Sequence, residues 1–473
     1  MKPLSSDAMR YIQYLNFKMQ CMADQEDYRW KLDVPKATAL LAELEAIVED
    51  KTEALKKAMP KKPILKTVNR PKVMYKKDGT LSANGEKFEE LRKANLQHES
   101  VDTFNVIEGY EDGNPGSHQQ VKDWLFSLGW EPCTFDFKRD DKTGDTRSIP
   151  QVRGDGELTD SVKLLIEYDP AVEIMDGLTV ASHRASLVKG FLECVDSDGY
   201  VVAGSHGLTN TLRFKHAKPL VNLPGVDKPY GKEIRGCLIA PEGYLLCGSD
   251  MDSLENNTKL HYMWEHDPDY VKDQLTEGFD PHLDLAKFSG AVTQDQIDDH
   301  VSGKVSLSSM RKAYKVTNYS ATYGIQPLGL SRRGGFSVKD ATALLDAFWE
   351  RNWSLQAIAR QVKTKKTRDG QLWLYNPVSK FWYSLRNDKD KFSTLNQGTG
   401  VYCFDTWLGY CINAGLKVIG QFHDEAIFLV RKGCENWTGH CIGEAMSQTN
   451  KELSLNIKLS TTPAFGDNYS EIH

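Results

Sequence analysis

No run of roughly 18 or more apolar residues occurs in this chain of 473 residues, so nothing in it predicts a membrane-spanning helix. The first residues, MKPLSSDAMRYIQYLNF, hold no apolar signal core, and the expectation is a soluble protein of the cytoplasm with no membrane partner. Cysteine pairs of the CxxC kind are missing. The nine cysteines are scattered and odd in number, which argues against a disulfide framework and a thiolate zinc site and leaves them as reduced packing residues. An excess of positive charge is missing too: a net charge of −6 weakens a nucleic-acid reading, although it averages over the surface and leaves room for a basic groove. Repeats and low-complexity tracts do not occur. What is present, 40% hydrophobic and 26% charged residues, is ordinary globular composition. The length suits about two or three domains.

Organisation along the chain is uneven. Residues 36–58 place apolar residues at helical spacing among strong helix formers, which predicts a long amphipathic helix. Residues 61–77, KKPILKTVNRPKVMYKK, then carry seven Lys or Arg, no acid and two prolines that prevent a continuous helix. They read as an exposed basic loop, either a solvated linker or a segment that tracks phosphates or binds a partner. Residues 161–195 return to helical patterning, and residues 199–214 alternate like strands with turns.

Three stretches carry chemistry. In GQFHDEAIFLV, His423, Asp424 and Glu425 interrupt two short β-branched and aromatic runs, 417–422 and 426–430, so the triplet is expected at a hairpin tip. A polar turn explains it as well as a metal site does, since one Asp is at best half a Mg²⁺ site. A second acid follows the apolar run of GYLLCGSDMDSLENN, where Asp250 stands at the end of a predicted strand. In RKAYKVTNYSATYG, Arg311, Lys315, Tyr319 and Tyr323 recur every four residues. At roughly 100° per residue they drift only about 40° per step, so they share one helix face. Gly324 ends that helix. Such a stripe is either a half-buried face or a surface that grips phosphates and stacks a base.

In order and spacing these three stretches resemble motifs A, B and C of the family A DNA polymerases, the DNA polymerase I group. TLRFKHAKPLVNLPG at 211–225 resembles the template and primer segment ahead of motif A. FDPHLDLA places His282 where the family has a fingers histidine, and STLNQGTG resembles the helix carrying a minor-groove glutamine, here Gln397. FGDNYSEIH at the carboxyl end and NPGS at 114–117 lean toward phage enzymes that use host thioredoxin for processivity.

The resemblance implies an α+β right-hand fold with an antiparallel-sheet palm and helical fingers and thumb. It divides the chain into a thumb region at 1–195 with the basic insertion at about 59–112, palm at 196–258, fingers at 259–385 and palm again at 386–473. It implies two Mg²⁺ ions, with Mn²⁺ able to substitute, held by Asp250, Asp424 and the backbone carbonyl of Met251, with Glu425 supporting them from behind. Arg311, Lys315 and His282 would grip the incoming dNTP, Lys315 as a catalytic cation. Tyr319 and Tyr323 would face sugar and base, and Glu255 would bar a ribose 2′-hydroxyl. Arg213, Gln397 and His423 would contact primer-template DNA.

Asp252, Asn257 and Ser393 depart from the residues usual in the family, which bears on primer contact and fidelity. Two alternatives stand beside the DNA polymerase: a single-subunit RNA polymerase-like enzyme and a non-catalytic DNA-binding replication subunit. The resemblance to the thumb begins near residues 24–33, so no intrinsic 3′–5′ exonuclease is expected, and a separate exonuclease subunit or processivity factor is the expected partner.

Overall fold

The computed structural model describes residues 5–139, 143–154, 157–334 and 337–473. The chain forms two compact units, one from the residues up to Glu43 with His183–His473 and the other from Leu44–Ser182. Among the described residues no helix is long and apolar enough to cross a membrane. Helices and antiparallel sheets are both present, in an α+β architecture.

The larger unit is organised on a four-stranded antiparallel sheet in the order Lys417–Phe422, Glu425–Arg431, Tyr244–Met251, Thr461–Gly466. Tyr244–Met251 is flanked on both sides, so its residues are buried from Leu246 to Ser249 and every position needs a fit. Gly248 shows this: a Cβ there would lie 2.9 Å from the Ile472 side chain. Helix Lys391–Asn413 is apolar around most of its surface, which suits its burial. It joins Glu435–Leu453 in a core with Trp407, Phe428 and Ile442. Helix Ser6–Tyr28 closes another side through a buried ion pair, Lys18 Nζ to Asp405 Oδ1 at 2.7 Å, with the Tyr14 hydroxyl donating to the other carboxylate oxygen. Trp30 is fully buried and its indole N–H donates to the Ile419 carbonyl at 2.7 Å, which removes the cost of burying that donor.

A second core in this unit gathers helices Leu254–Met263, Pro281–Phe288, Ser308–Thr322, Val338–Arg351 and Trp353–Gln361 around Leu285, Ala321, Leu345 and Phe348. The four-residue repeat of Arg311 to Tyr323 does form a helix. Tyr314, Thr317 and Ala321 face inward, and Gly324 at φ 73° stops it.

In the smaller unit the predicted helix is present as Val34–Ala58, which begins in the other unit. The basic stretch corrects the sequence reading over its first half, which is not a loop, whereas residues 70–77 are irregular and largely exposed as expected. Lys62–Asn69 is a strand paired with Thr103–Glu111 in a two-stranded ribbon. Acids about 40 residues away supply what the local sequence lacks: Lys62 meets Glu111 at 3.0 Å, Lys66 meets Glu108 at 2.6 Å and Arg70 meets Asp102 at 3.1 Å. Pro63 is tolerated because a ribbon has an unpaired edge on each strand. Val68, Phe104 and Val106 pack with Met74 and Phe88, the latter on helix Ala83–Ala94.

Candidate active site

The charged triplet occupies a tighter turn than expected. Phe422 pairs with Glu425, so the turn is His423 and Asp424 alone, and His423 takes the positive φ, 59°, that primed hairpin turns demand. Glu425 is not at the tip: it is a buried strand residue opposite Asp250. Its carboxyl accepts from the Tyr469 hydroxyl at 3.1 Å, and His473 Nε2 lies 3.1 Å from its other oxygen. Burial pushes its pKa up to about 8, against the hydrogen bond from Tyr469 and the charge of Arg235.

This register carries Asp250 and Asp424 to the same end of the sheet. The Met251 amide donates to the Asp424 carbonyl at 3.1 Å and fixes the turn against the central strand. Burial, then the neighbouring charges of Asp424 and Asp252, push the Asp250 pKa up to about 6. Burial also raises that of Asp424, opposed by Arg213 and His423. Among the described residues neither carboxylate is in an ion pair. Two carboxylates side by side, Asp424 half-buried and Asp250 exposed at the sheet end, are an unfavourable arrangement that a divalent cation relieves. Their hard oxygen donors suit Mg²⁺, which takes one or two carboxylates and completes its shell with water and substrate phosphate. Among the described residues no group of three or more His, Cys, Asp or Glu could hold a metal ion, so any ion here depends on those outside ligands. A cavity of about 220 Å³ opens beside the pair, lined also by His216, Arg235, His423 and Glu425.

Glu255, at the start of helix Leu254–Met263, is held on three sides. Arg213 Nη2 donates to one carboxylate oxygen at 2.8 Å, the Tyr323 hydroxyl donates to the other, and Asn396 Nδ2 donates to the backbone carbonyl at 2.9 Å. A second cavity, about 320 Å³, lies against this cluster and is lined by Glu255, His282, Tyr319, Tyr323, Gln397 and Lys259 among others. His282 is buried, which pushes its pKa down to about 4, and its Nδ1 lies 3.0 Å from Asn318 Nδ2. Neutral imidazole is therefore its form at physiological pH. Burial pushes the Lys259 pKa down to about 8.

The structure thus brings together Asp250, Met251, His423 and Asp424 at the sheet end, and Glu255, His282, Tyr319, Tyr323 and Gln397 around the second cavity. Arg213 joins the groups: it binds Glu255 and shares a small pocket with His216 and His423. Arg311 is not free, since its guanidinium binds Asp280, whose carboxylate also caps helix Pro281–Phe288. Lys315 is exposed, with Nζ 6.0 Å from the Tyr319 ring centroid and no acid partner among the described residues. Sequence reasoning missed Asp280, Asn396, Lys259, Tyr469 and His473. Only Asp280 had a signal, the Asp-Pro that opens a helix.

The family model for DNA polymerase family A matches residues 84–373, which take in Arg213, Asp250, Glu255, His282, Arg311 and Tyr323 but stop short of Asp424. Among curated relatives, DNA polymerase I of Pseudomonas aeruginosa is 25% identical over 272 residues, covering 54% of this chain and 28% of that protein. The thermostable DNA polymerase I of Thermus filiformis is 28% identical over 162 residues, 34% of this chain and 18% of that protein. The chain therefore matches under a third of the length of either relative. Among solved structures, the POL domain of Pol1 from M. smegmatis in complex with DNA primer-template and dNTP has a TM-score of 0.65 at 17% identity, covering 97% of this chain and 70% of that one, and so shares the fold. With more than half of its length matched by the family model, the chain belongs to DNA polymerase family A.

Proposed function

We propose that this chain adds dNTPs to a primer 3′-hydroxyl under direction of a template. The observation that carries the proposal is the unpaired Asp250 and Asp424 couple at the hairpin turn, set in the same unit as the locked Glu255. Asp250, Asp424 and the Met251 carbonyl would hold two divalent ions, for which Mg²⁺ is the fitting choice and Mn²⁺ a substitute. Bound there, the ions supply charge neutralisation at the attacking hydroxyl and the triphosphate. Everything else the chain does is positioning. Lys315 lies free on the exposed face to meet the triphosphate, and Arg311 joins it by exchanging Asp280 for a phosphate oxygen. Tyr319 covers the sugar, and neutral His282 donates a hydrogen bond to the triphosphate. Glu255, held by Arg213 and Tyr323, cannot swing away from a 2′-hydroxyl, and this disfavours the RNA polymerase alternative. Arg213, Gln397 and His423 contact the primer end and the minor groove, whose acceptors are common to all base pairs.

In this reading the palm is the four-stranded sheet, the fingers are the helices between residues 259 and 385, and the thumb includes the smaller unit. The finer reading rests on the resemblance alone: a phage replication enzyme working with a separate exonuclease subunit or processivity factor. A primer with a mismatched 3′ end, given Mg²⁺ and no dNTPs, should accordingly keep its length. The principal test is primer extension with dNTPs and, separately, rNTPs. Extension by dNTPs and little by rNTPs is expected, whereas DNA binding without extension would favour a non-catalytic subunit.

A further inference from the structure

A second chemistry-bearing surface lies on the three-stranded sheet Thr364–Lys366, Leu372–Tyr375, Trp382–Leu385. The register sets Lys365 opposite Trp373, Trp373 opposite Ser384 and Tyr375 opposite Trp382. Residues directly opposed in an antiparallel sheet share a face, so Lys365 and three aromatic rings stand on one side. Leu374, Tyr383 and Leu385 occupy the other and are buried. Lys363, whose carbonyl accepts from the Tyr375 amide, extends the outward face. The rings there are half-exposed and the lysines exposed.

These cations have no acids. Lys363 Nζ lies 5.5 Å from the Tyr375 ring centroid and 5.7 Å from that of Trp382, and Lys365 Nζ lies 4.0 Å from Trp382. Among the described residues Lys363, Lys365, Lys366 and Arg368 form no ion pair. Asp369 accepts from Thr367 and Gln371 of its own turn. Unpaired ammonium groups interleaved with half-exposed rings are the combination that binds single strands, phosphates on the cations and bases on the rings. The sheet is also tied to the candidate active site. Ser384 accepts from Asn210, three residues before Arg213, and Asn376 donates to the Leu395 carbonyl on the helix that carries Gln397.

We infer that this face binds unpaired single-stranded DNA, stacking bases on Trp373, Tyr375 and Trp382 and holding phosphates with Lys363 and Lys365. The proposed polymerase activity supplies only the strand's identity, the template ahead of the primer end. A lysine-bearing edge that merely prevents sheet-to-sheet association would look similar, and binding separates the two.

The experiment is fluorescence anisotropy of a labelled dT oligomer of about 12 nucleotides, a few stacking units long, with a blunt-ended duplex as control and no nucleotides present. Trp373→Ala/Trp382→Ala should bind the oligomer about tenfold or more weakly. Lys363→Gln/Lys365→Gln should lower the slope of log affinity against log salt by about 1.4. Both should leave duplex affinity within about twofold, because the duplex presents no open base faces. Should the tryptophan pair disturb the sheet, the exposed lysine pair still decides. Oligomer binding unchanged in the folded variants, or equal losses on oligomer and duplex, overturns the inference. Since no extension is measured, this outcome stands apart from any failure of the polymerase reading.

Discussion

The ribbon of Lys62–Asn69 with Thr103–Glu111 and the hairpin of Lys417–Phe422 with Glu425–Arg431 are both antiparallel ladders rich in charge, and they dispose of that charge in opposite ways. In the ribbon Lys62 and Lys66 each meet an acid on the other strand, and Arg70 meets Asp102 just beyond its end. At the hairpin Asp424 is set beside Asp250, like against like, with no ion pair to either among the described residues. Paired charge of the first kind is matched within the fold, and unpaired charge of the second kind is an interaction the fold leaves to a ligand. A count of lysines distinguishes neither case. The outward face at Lys363 and Lys365 belongs with the hairpin in this respect, although as a sequence it resembles the ribbon.

The largest expected effect breaks the unpaired site. Asp250→Asn or Asp424→Asn should lower primer extension by a factor on the order of 10³ or more, because the lost charge acts on the transition state. Affinity for primer-template should change little. Extension within about tenfold of wild type in either variant would count against the assignment.

A pair that is matched but buried comes next. Lys18→Met leaves Asp405 buried without its cation, in a site where burial already raises its pKa. A loss of roughly 3 to 5 kcal/mol is expected in urea unfolding. Lys18→Met with Asp405→Leu should recover much of it, and a loss in the single variant under about 1 kcal/mol would show the pair to be dispensable.

The helical and strand periods made most of the elements legible, and the resemblance supplied the order of the site residues. What escaped was partnership at a distance. The first half of the basic stretch read as a loop because its neutralising acids, Asp102, Glu108 and Glu111, lie some 40 residues further on. Glu425 read as part of a tip because its burial depends on Tyr469 and His473 from the end of the chain. The cations of residues 363–368 went unremarked because only strand register shows that they share a face with Trp382. Asn396 was passed over beside Gln397 although it holds the Glu255 backbone.

Glu255 is a paired carboxylate for which a function is proposed. Glu255→Ala should weaken discrimination against rNTPs by about tenfold or more, and Arg213→Ala should weaken it in the same direction by less, because Glu255 then loses only one of its holds. Tyr319→Phe should reduce chain termination by dideoxynucleotides. Ratios of kcat/KM for each nucleotide pair measure all three, and unchanged ratios would mean that Glu255 and Tyr319 do not face the sugar.

Lys259 sharpens the comparison through pH. Its pKa is pushed from 10.5 down to about 8, so between these values the unfolded chain binds the extra proton and stability should rise with pH. Below pH 8 both states carry the proton and the full penalty of burying the charge remains. Unfolding free energies from pH 8 to 10 should climb less steeply in Lys259→Met than in wild type, and parallel curves would remove Lys259 as the source.

The smallest effect is expected at the ribbon. Replacing Lys62, Lys66 and Arg70 by Gln breaks only exposed pairs, each worth about 0 to 1 kcal/mol. Product length and its salt dependence should barely change. A marked loss of processivity would instead return these residues to phosphate binding.

Counting bound Mn²⁺ by electron paramagnetic resonance tests directly whether Asp250 and Asp424 are the cation site. In a complex with primer-template ending in a dideoxynucleotide and the next correct dNTP, wild type should bind about two ions. Asp250→Asn and Asp424→Asn should each lose at least one while still holding the DNA. An unchanged count in both variants would place the cations elsewhere and contradict the account.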